Sequence, residues 1–179
     1  MGQEKAFVLF HGQTLLERAL AAAHVLSSDV VILGDRDRFQ SFGKVVEDTF
    51  RGRGPLGGIH AALSATQGDL NLILAVDMPF INADFMAYLC RRAQANDAIV
   101  TIPKLTDGWQ PLCAIYRKGF AISAEKSLSE GKNKIDRLFE TVSVDSITEG
   151  EIVAAGFSRE IFGNVNTPED LKTARQVRN

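Results

Sequence analysis

The sequence predicts an α/β fold in which a single domain, residues 1–179, forms a doubly wound and mostly parallel sheet. Strand-like apolar runs alternate with helical patterns along the chain, and this order favours helices on both faces of a parallel sheet. The run 70–76 is almost continuously apolar, which is typical of a parallel strand that is covered on both faces. A chain of 179 residues, 45% of them apolar, is sufficient for one sizeable core.

Local signals justify the individual elements in chain order. Thr14 and Glu17 form a capping box, after which apolar residues recur at helical spacing as far as Ala23. Asn82 is a second N-cap, and Thr167 before a proline is a third. The predicted strands are apolar or alternating runs at 29–33, 45–46, 70–76, 98–102, 112–116 and 142–144. The predicted helices cover 15–23, 59–66, 83–95, 121–128 and 135–139, and a last one begins at Thr167.

Bulk composition argues against several classes of protein. The net charge is −2 and no face is strongly basic, so a nucleic-acid partner is not expected. No run approaches the ~18 apolar residues that span a bilayer, so a membrane partner is not expected either. The N-terminus lacks a signal-peptide pattern, and we therefore expect a cytoplasmic protein. Cys90 and Cys113 lie far apart in apolar segments, which indicates core packing rather than a disulfide or a metal site.

A glycine-rich segment precedes the predicted helix at residue 59. Gly52, Gly54, Gly57 and Gly58 allow positive φ angles and a close approach of a ligand to the backbone. The helix that follows aims free N–H groups at an anion or at base edges. Taken alone, the segment is equally well explained as a tight turn between a strand and a helix.

Asp77 follows the apolar run 70–76 directly. In open α/β sheets, ligands bind beyond the carboxyl ends of the strands. A lone carboxylate at this place suits Mg²⁺, which takes one or two carboxylates and completes its shell with phosphate oxygens and water. The alternative is an aspartate that caps the next turn. Taken alone, Asp48 is an ordinary loop aspartate and Lys5 is a surface lysine.

Together these residues resemble the molybdenum cofactor guanylyltransferases, and the resemblance covers essentially the whole chain. The start of the chain is similar to the end of that family's L-A-G-G-x-S-x-R-M-G-x-[DE]-K-A signature. The G-P-L-x-G form of the glycine-rich segment is closer to this family than to related cytidylyltransferases. The matching segments are Met1–Ala6, Gly12–Arg18, Glu47–Asp48, Gly54–Ile59, Asp77–Phe80, Gln110–Tyr116 and Phe162–Leu171.

The resemblance implies that the terminal phosphate of molybdopterin, which carries molybdenum, attacks the α-phosphorus of GTP. Pyrophosphate leaves and a guanine dinucleotide cofactor forms. By this resemblance, Lys5 is catalytic and contacts the triphosphate, while Asp77 is catalytic, binds the nucleotide and holds Mg²⁺. Asp48 also binds the nucleotide. The backbone that recognises guanine belongs to Gly54, Pro55, Leu56 and Gly58. Such catalysis rests on positioning and fixed positive charge, so it requires no general base.

The acceptor side of the site follows from the same resemblance. Lys132 and Lys134 lie where the family places basic residues for the pterin phosphate, and Lys134 replaces a common arginine, which keeps the charge but loses the bidentate fork. Asn164 and Asn166 match paired asparagines that face the second substrate, although turn chemistry before Thr167 explains them as well. Proteins that insert molybdenum or receive the finished cofactor are further expected partners.

The chain departs from the family at its start, because the family's first strand and glycine-rich loop belong upstream of Met1. Roughly five or six buried apolar side chains of such a strand are worth about 10 kcal/mol. Without that strand we expect either an open position in the sheet or an unstable protein, and we therefore expect a longer protein in the cell. Two other functions stay open: a nucleotidyltransferase that uses CTP or a sugar phosphate, and a catalytically impaired remnant that binds or delivers the cofactor.

Overall fold

The structure is a computed structural model that describes residues 5–165. The strands are β1 (Leu9–Phe10), β2 (Gln13–Thr14), β3 (Val31–Leu33), β4 (Lys44–Val46), β5 (Leu70–Leu74), β6 (Val100–Leu105), β7 (Gly108–Trp109), β8 (Cys113–Arg117) and β9 (Val144–Thr148). The α-helices are α1 (Leu15–His24), α2 (Arg36–Phe39), α3 (Pro55–Ala65), α4 (Ala83–Gln94), α5 (Phe120–Ser129), α6 (Ile135–Phe139) and α7 (Glu149–Ala154). Short 3₁₀ helices cover Lys5–Phe7 and Arg159–Phe162. The predicted helix at Thr167 lies outside the described residues.

The main sheet has five strands, and helices cover both of its faces. Strand β8 lies between β5 and β6, β7 pairs with β6, and β9 pairs with β6 in parallel. Side chains of β8 alternate between the two cores: Ala114 and Tyr116 pack with α3 and α5, while Cys113 and Ile115 pack with α4 and α7. The predicted α/β class with helices on both faces is therefore confirmed.

The prediction of a mostly parallel sheet was wrong, because the sheet is mixed. Strand β8 runs antiparallel to both β5 and β6, and the hairpin strand β7 runs antiparallel to β6. The physical reason is the short connection 106–112 between β6 and β8, which contains only β7. A parallel return needs a crossover of about a dozen residues or more, usually with a helix.

Strands β3 and β4 form a separate parallel pair beside the main sheet. Within residues 5–165, β3 pairs only with β4 and β5 pairs only with β8, so each of these strands keeps one edge without a partner strand. Helix α3 packs against β3 and β4 and also contributes to the core around Ile73 of β5. Packing of α3 thus joins the β3–β4 pair to the main sheet.

Local capping signals place several helices where they were predicted. The Thr14 side chain accepts from the Glu17 N–H and Glu17 accepts from the Thr14 N–H, which completes the predicted box at α1. Asn82 caps α4 through a bond from the Phe85 N–H at 2.9 Å. A second capping box, Thr148 with Glu151, begins α7 and was not predicted.

Few polar residues are buried among residues 5–165, and a half-buried ionic network lies beside the core. The Cys113 side chain is fully buried, and burial raises its pKa to about 12. Asp145 accepts two bonds from Arg92, at 2.8 and 2.9 Å, and one from Asn96 at 3.0 Å, which fastens α4 to β9. Cysteine as a packing residue is thus confirmed for Cys113. Among residues 5–165, no helix has both the length and the apolar character required to cross a membrane.

Candidate functional site

The glycine-rich segment leads directly into the first turn of α3. Gly52 has a φ of 74° and Gly54 a φ of 66°, and residues other than glycine rarely adopt this backbone conformation. Gly54 is the N-cap and Pro55 occupies the first turn of the helix. No side chain caps α3, and within the described residues the Leu56 N–H donates no hydrogen bond to a protein group. The start of α3 therefore offers a backbone donor and a positive helix end to a ligand.

Asp48 lies against this first turn. Its Oδ1 accepts a bond of 2.8 Å from the Phe50 N–H. A Cβ atom placed on Gly57 would lie 2.7 Å from Asp48 Oδ2, so the carboxylate touches the helix backbone where other residues carry a side chain. The sequence pointed to Gly57 as one of the glycines that allow a close approach, but only the tertiary fold shows its contact with Asp48. Two predicted parts of the nucleotide site, Asp48 and the glycine-rich segment, are thus in direct contact.

Asp77 and Lys5 form the second part of the site. Lys5 Nζ lies 3.4 Å from Asp77 Oδ2, although the two residues are 72 positions apart in the sequence. The Asp77 side chain is 22% exposed and that of Lys5 is 44% exposed, so both remain accessible to a ligand. Asp77 follows β5, as predicted, and its backbone oxygen accepts from the Val165 N–H at 2.9 Å.

One apolar cluster links the segments that carry the predicted residues. Ala6, next to Lys5, shares this cluster with Val45 of β4, and Val76, next to Asp77, packs against it. Val45 precedes Asp48 by three residues. The fold therefore gathers the chain segments of Lys5, Asp48 and Asp77 around a common hydrophobic base.

Arg18 supports the turn that follows Asp77, a role that sequence reasoning missed. Its Nη2 donates to the Pro79 carbonyl oxygen at 3.3 Å, and its guanidinium lies 5.0 Å from the centre of the Phe10 ring. Its buried Nε has no partner among the described residues. Arg18 is the last residue of the segment Gly12–Arg18 that matches the family, and this match could have pointed to it. The residue type alone does not distinguish an arginine that supports the site from one that is solvated.

The predicted acceptor residues lie in two places. Asn164 is exposed and precedes Val165, whose N–H bonds the Asp77 backbone, so Asn164 is close to Asp77 in the fold. Asn166 lies outside the described residues. Lys132 and Lys134 line a cavity of about 680 Å³ between α5 and α6. Lys132 Nζ forms an ion pair of 2.6 Å with Glu130, and this pair lowers the pKa of Glu130.

The end of α5, which leads into this cavity, lies beside the glycine-rich start of α3. Helices α3 and α5 pack together, and Lys118, just before α5, donates to the Thr66 carbonyl oxygen just after α3, at 2.8 Å. The two helices are therefore antiparallel, and because they have nearly equal lengths, the end of α5 lies beside the start of α3. The α5–α6 connection thus lies near the first turn of α3.

The donor set at Asp77 is compatible with a hard cation. Asp77 supplies one accessible carboxylate at the end of a strand, and Mg²⁺ is commonly bound by one or two carboxylates together with substrate phosphates. Within the described residues, no group of three or more His, Cys, Asp or Glu side chains could hold a metal.

Comparison with known proteins identifies the family. The model of the MobA-like NTP transferase domain matches residues 1–146. A probable molybdenum cofactor guanylyltransferase from Clostridium perfringens is 34% identical over 173 residues, which cover 95% of this chain and 86% of that protein. One from Bacillus subtilis is 36% identical over 187 residues, which cover 99% and 89%.

Solved structures agree with this assignment. Molybdopterin-guanine dinucleotide biosynthesis protein A from Archaeoglobus fulgidus superposes with a TM-score of 0.85 at 27% identity, covering 98% of this chain and 91% of that one. A cytidylyltransferase for 2-C-methyl-D-erythritol 4-phosphate from Thermus thermophilus shares the fold, with a TM-score of 0.70 at 16% identity over 96% and 92% of the two chains. The chain therefore belongs to the family of MobA-like NTP transferase domains.

Proposed function

We propose that this protein transfers GMP from GTP to the molybdenum cofactor. A phosphate oxygen of the pterin forms a bond to the α-phosphorus of GTP, the bond between the α-phosphorus and the bridging oxygen breaks, and pyrophosphate leaves with that oxygen. The observation that carries the proposal is the Lys5–Asp77 pair of 3.4 Å at the end of β5, in a chain whose relatives are named as guanylyltransferases.

The nucleotide part of the site is assigned to the contacts around α3. The Leu56 N–H and the positive end of α3 suit the edge of guanine, together with the backbone of Gly54, Pro55 and Gly58. Asp48 Oδ1 is occupied by the Phe50 N–H, whereas Oδ2 has no hydrogen-bond donor among the described residues and is available to the nucleoside. Guanine fits this arrangement, because its N–H groups can donate to Oδ2 and its carbonyl oxygen can accept from the Leu56 N–H.

Lys5 and Asp77 are assigned to the triphosphate. Lys5 holds a positive charge near the place where negative charge develops during phosphoryl transfer, and such fixed charges stabilise the transition state without reorganisation. Asp77 is the residue that would hold Mg²⁺, and the ion would neutralise phosphate charge and orient the leaving pyrophosphate. The salt bridge keeps Lys5 beside Asp77 before substrate binds, so the cation is already in position.

The acceptor is assigned to Asn164, Asn166, Lys132 and Lys134. Asn164 lies next to the segment bonded to Asp77, and the two lysines line the cavity beside the start of α3. The acceptor phosphate would therefore enter from the α5–α6 side, while the triphosphate lies at β5. We assign the reaction to a single domain in the cytoplasm, with proteins of molybdenum cofactor synthesis and use as partners.

The experiment supplies the purified protein with molybdopterin or its molybdenum form, Mg²⁺ and either GTP or CTP. We expect pyrophosphate release with GTP, and a product whose mass equals the acceptor plus GMP. A faster reaction with CTP would replace the guanylyl assignment by a cytidylyl one. Pyrophosphate release with a sugar phosphate in place of the pterin would overturn the acceptor assignment. Binding of the pterin without any transfer would indicate a delivery module instead of an enzyme.

A further inference from the structure

The cavity between α5 and α6 contains more cationic groups than the two lysines already assigned. Its lining includes Lys126 of α5 and Arg137 of α6 as well as Lys132 and Lys134, and Glu130 is the one carboxylate among the lining residues. A concave site with a large excess of positive charge attracts anions and concentrates them. The hydroxyl group of Ser123 also lines the cavity and is a suitable donor to phosphate oxygens, whereas the Thr141 hydroxyl donates to the Leu138 carbonyl oxygen at 2.9 Å.

The local backbone explains why Glu130 points into this group. Gly131 has a φ of 75° and ends α5, and the Lys132 N–H bonds back to the Ser127 carbonyl oxygen at 2.9 Å. The chain reverses at this point, so Lys132 Nζ returns to Glu130 Oε2 at 2.6 Å. Lys132 and Lys126 both lower the pKa of Glu130, the hydrogen bond from Lys132 being the largest cause. Glu130 is therefore ionised at neutral pH.

The ion pair is exposed and consequently easy to replace. The side chain of Lys132 is 72% exposed and that of Glu130 is 43% exposed. Exposed pairs of this kind contribute little net stability because water screens them and the side chains lose freedom. A dianionic phosphate carries more charge and more acceptor oxygens than a carboxylate. It can therefore compete with Glu130 for Lys132.

We propose that Lys126 and Arg137 join Lys132 and Lys134 in binding the acceptor's phosphate group, and that Glu130 occupies Lys132 until this phosphate replaces it. The inference rests on the proposed function for the identity of the acceptor, but the cavity itself is defined by the α5–α6 contacts. Glu130 then serves specificity: it keeps the pocket closed to weak monoanions and yields to a phosphate dianion. Among residues 5–165, the ion pair of Arg137 is with the exposed Glu140, at 3.4 Å, and Arg137 can turn toward the ligand.

The first test measures binding of inorganic phosphate to the protein without nucleotide, by NMR of the lysine and arginine side chains. We expect Glu130→Gln to tighten phosphate binding by about threefold to fivefold, because the competing carboxylate is removed. Lys126→Met and Arg137→Met should weaken it by a similar factor. Glu125→Gln, an equal charge change on the exposed face of α5 outside the cavity, and Lys44→Met are the matched controls.

Two outcomes overturn the proposal: equal phosphate affinity of Glu130→Gln and Glu125→Gln, or phosphate shifts that do not involve Lys126 and Arg137. The role of Glu130 in GMP transfer is tested by the KM of each substrate. Glu130→Gln should lower the KM for the acceptor and leave the KM for GTP unchanged. A merely structural role of Glu130 would change neither. If phosphate binds as described but no GMP is transferred, the pocket stands and the proposed function fails.

Discussion

Replacement of Lys5 by methionine should lower the turnover number strongly and the free energy of unfolding only slightly. The change removes the positive charge and retains most of the length of the side chain. At the observed 3.4 Å, two unit charges attract by about 5 kcal/mol in an effective dielectric of ~20. Most of this energy is lost to solvation and side-chain entropy, because Lys5 is 44% exposed, and measured pairs of this kind contribute about 0.2–1 kcal/mol.

The expected results follow from that difference. The free energy of unfolding should fall by less than about 1 kcal/mol, which lowers Tm by less than about 4 °C for a chain of this size. The turnover number for GTP-dependent pyrophosphate release should fall by about 10²–10³-fold, as when one fixed transition-state donor is removed.

The assay compares pyrophosphate release and thermal unfolding of Lys5→Met with those of Lys44→Met. Lys44 is an exposed lysine at the amino end of β4, away from the site, and its replacement should affect neither quantity. A loss of activity below about fivefold in Lys5→Met would refute the catalytic assignment. A loss of activity that follows the loss of folded protein would refute it as well.

Three further predictions concern the metal, a polar network and pH. Asp77→Asn should lower the turnover number by about 100-fold and raise the Mg²⁺ concentration required for half-maximal rate, whereas Asp84→Asn, on the exposed first turn of α4, should not. Asp145→Ala leaves Arg92 without its bidentate partner and should cost about 2–3 kcal/mol of unfolding free energy, while Glu140→Ala should cost less than about 0.5 kcal/mol in chemical denaturation. The backbone hydrogen bond from Thr148 in the capping box lowers the pKa of Glu151. The difference in Tm between wild type and Glu151→Gln should therefore be constant above pH 4.5 and decline as the pH falls through the lowered pKa. A difference in Tm that stays constant down to acid pH would contradict this prediction.

Helix starts were the most predictable part of the fold, because their signals are local. The Thr14 box and the Asn82 cap act within three residues, and both form as predicted. The capping box at Thr148 has the same T-x-x-E spacing and could have been predicted in the same way. The residues that follow it are only weakly apolar and do not by themselves indicate a helix. The turn at His11, with a φ of 48°, carries no such signal and was missed.

Strand direction was less predictable, because it depends on connections rather than on the strands themselves. The strand at 112–116 was predicted, and it forms as β8, Cys113–Arg117, but its antiparallel direction follows from the short link to β6. The length of that link was visible in the sequence. Its significance depends on recognising that residues 106–112 contain no crossover helix.

The site itself could be assembled from the sequence only through the family resemblance. No local propensity brings Lys5 to Asp77 across 72 residues, or the Asp48 carboxylate to the backbone of Gly57. The sequence likewise shows Glu130 two residues before Lys132, but their ion pair follows only from the chain reversal at Gly131. Long-range contacts of this kind are decided by packing of the whole chain.

Within residues 5–165, one edge of β5 has no partner strand, and hydrogen–deuterium exchange can show which backbone amides lie on that edge. The Ala75 N–H bonds to the Leu112 carbonyl oxygen, and amides alternate in direction along a strand, so the N–H groups of Ile73 and Asn71 also point toward β8. Those of Leu72 and Leu74 point to the edge that has no partner strand within residues 5–165. Neighbouring amides of this half-buried strand should therefore exchange at alternately slow and fast rates. An added extended peptide that pairs with this edge would slow only the fast ones.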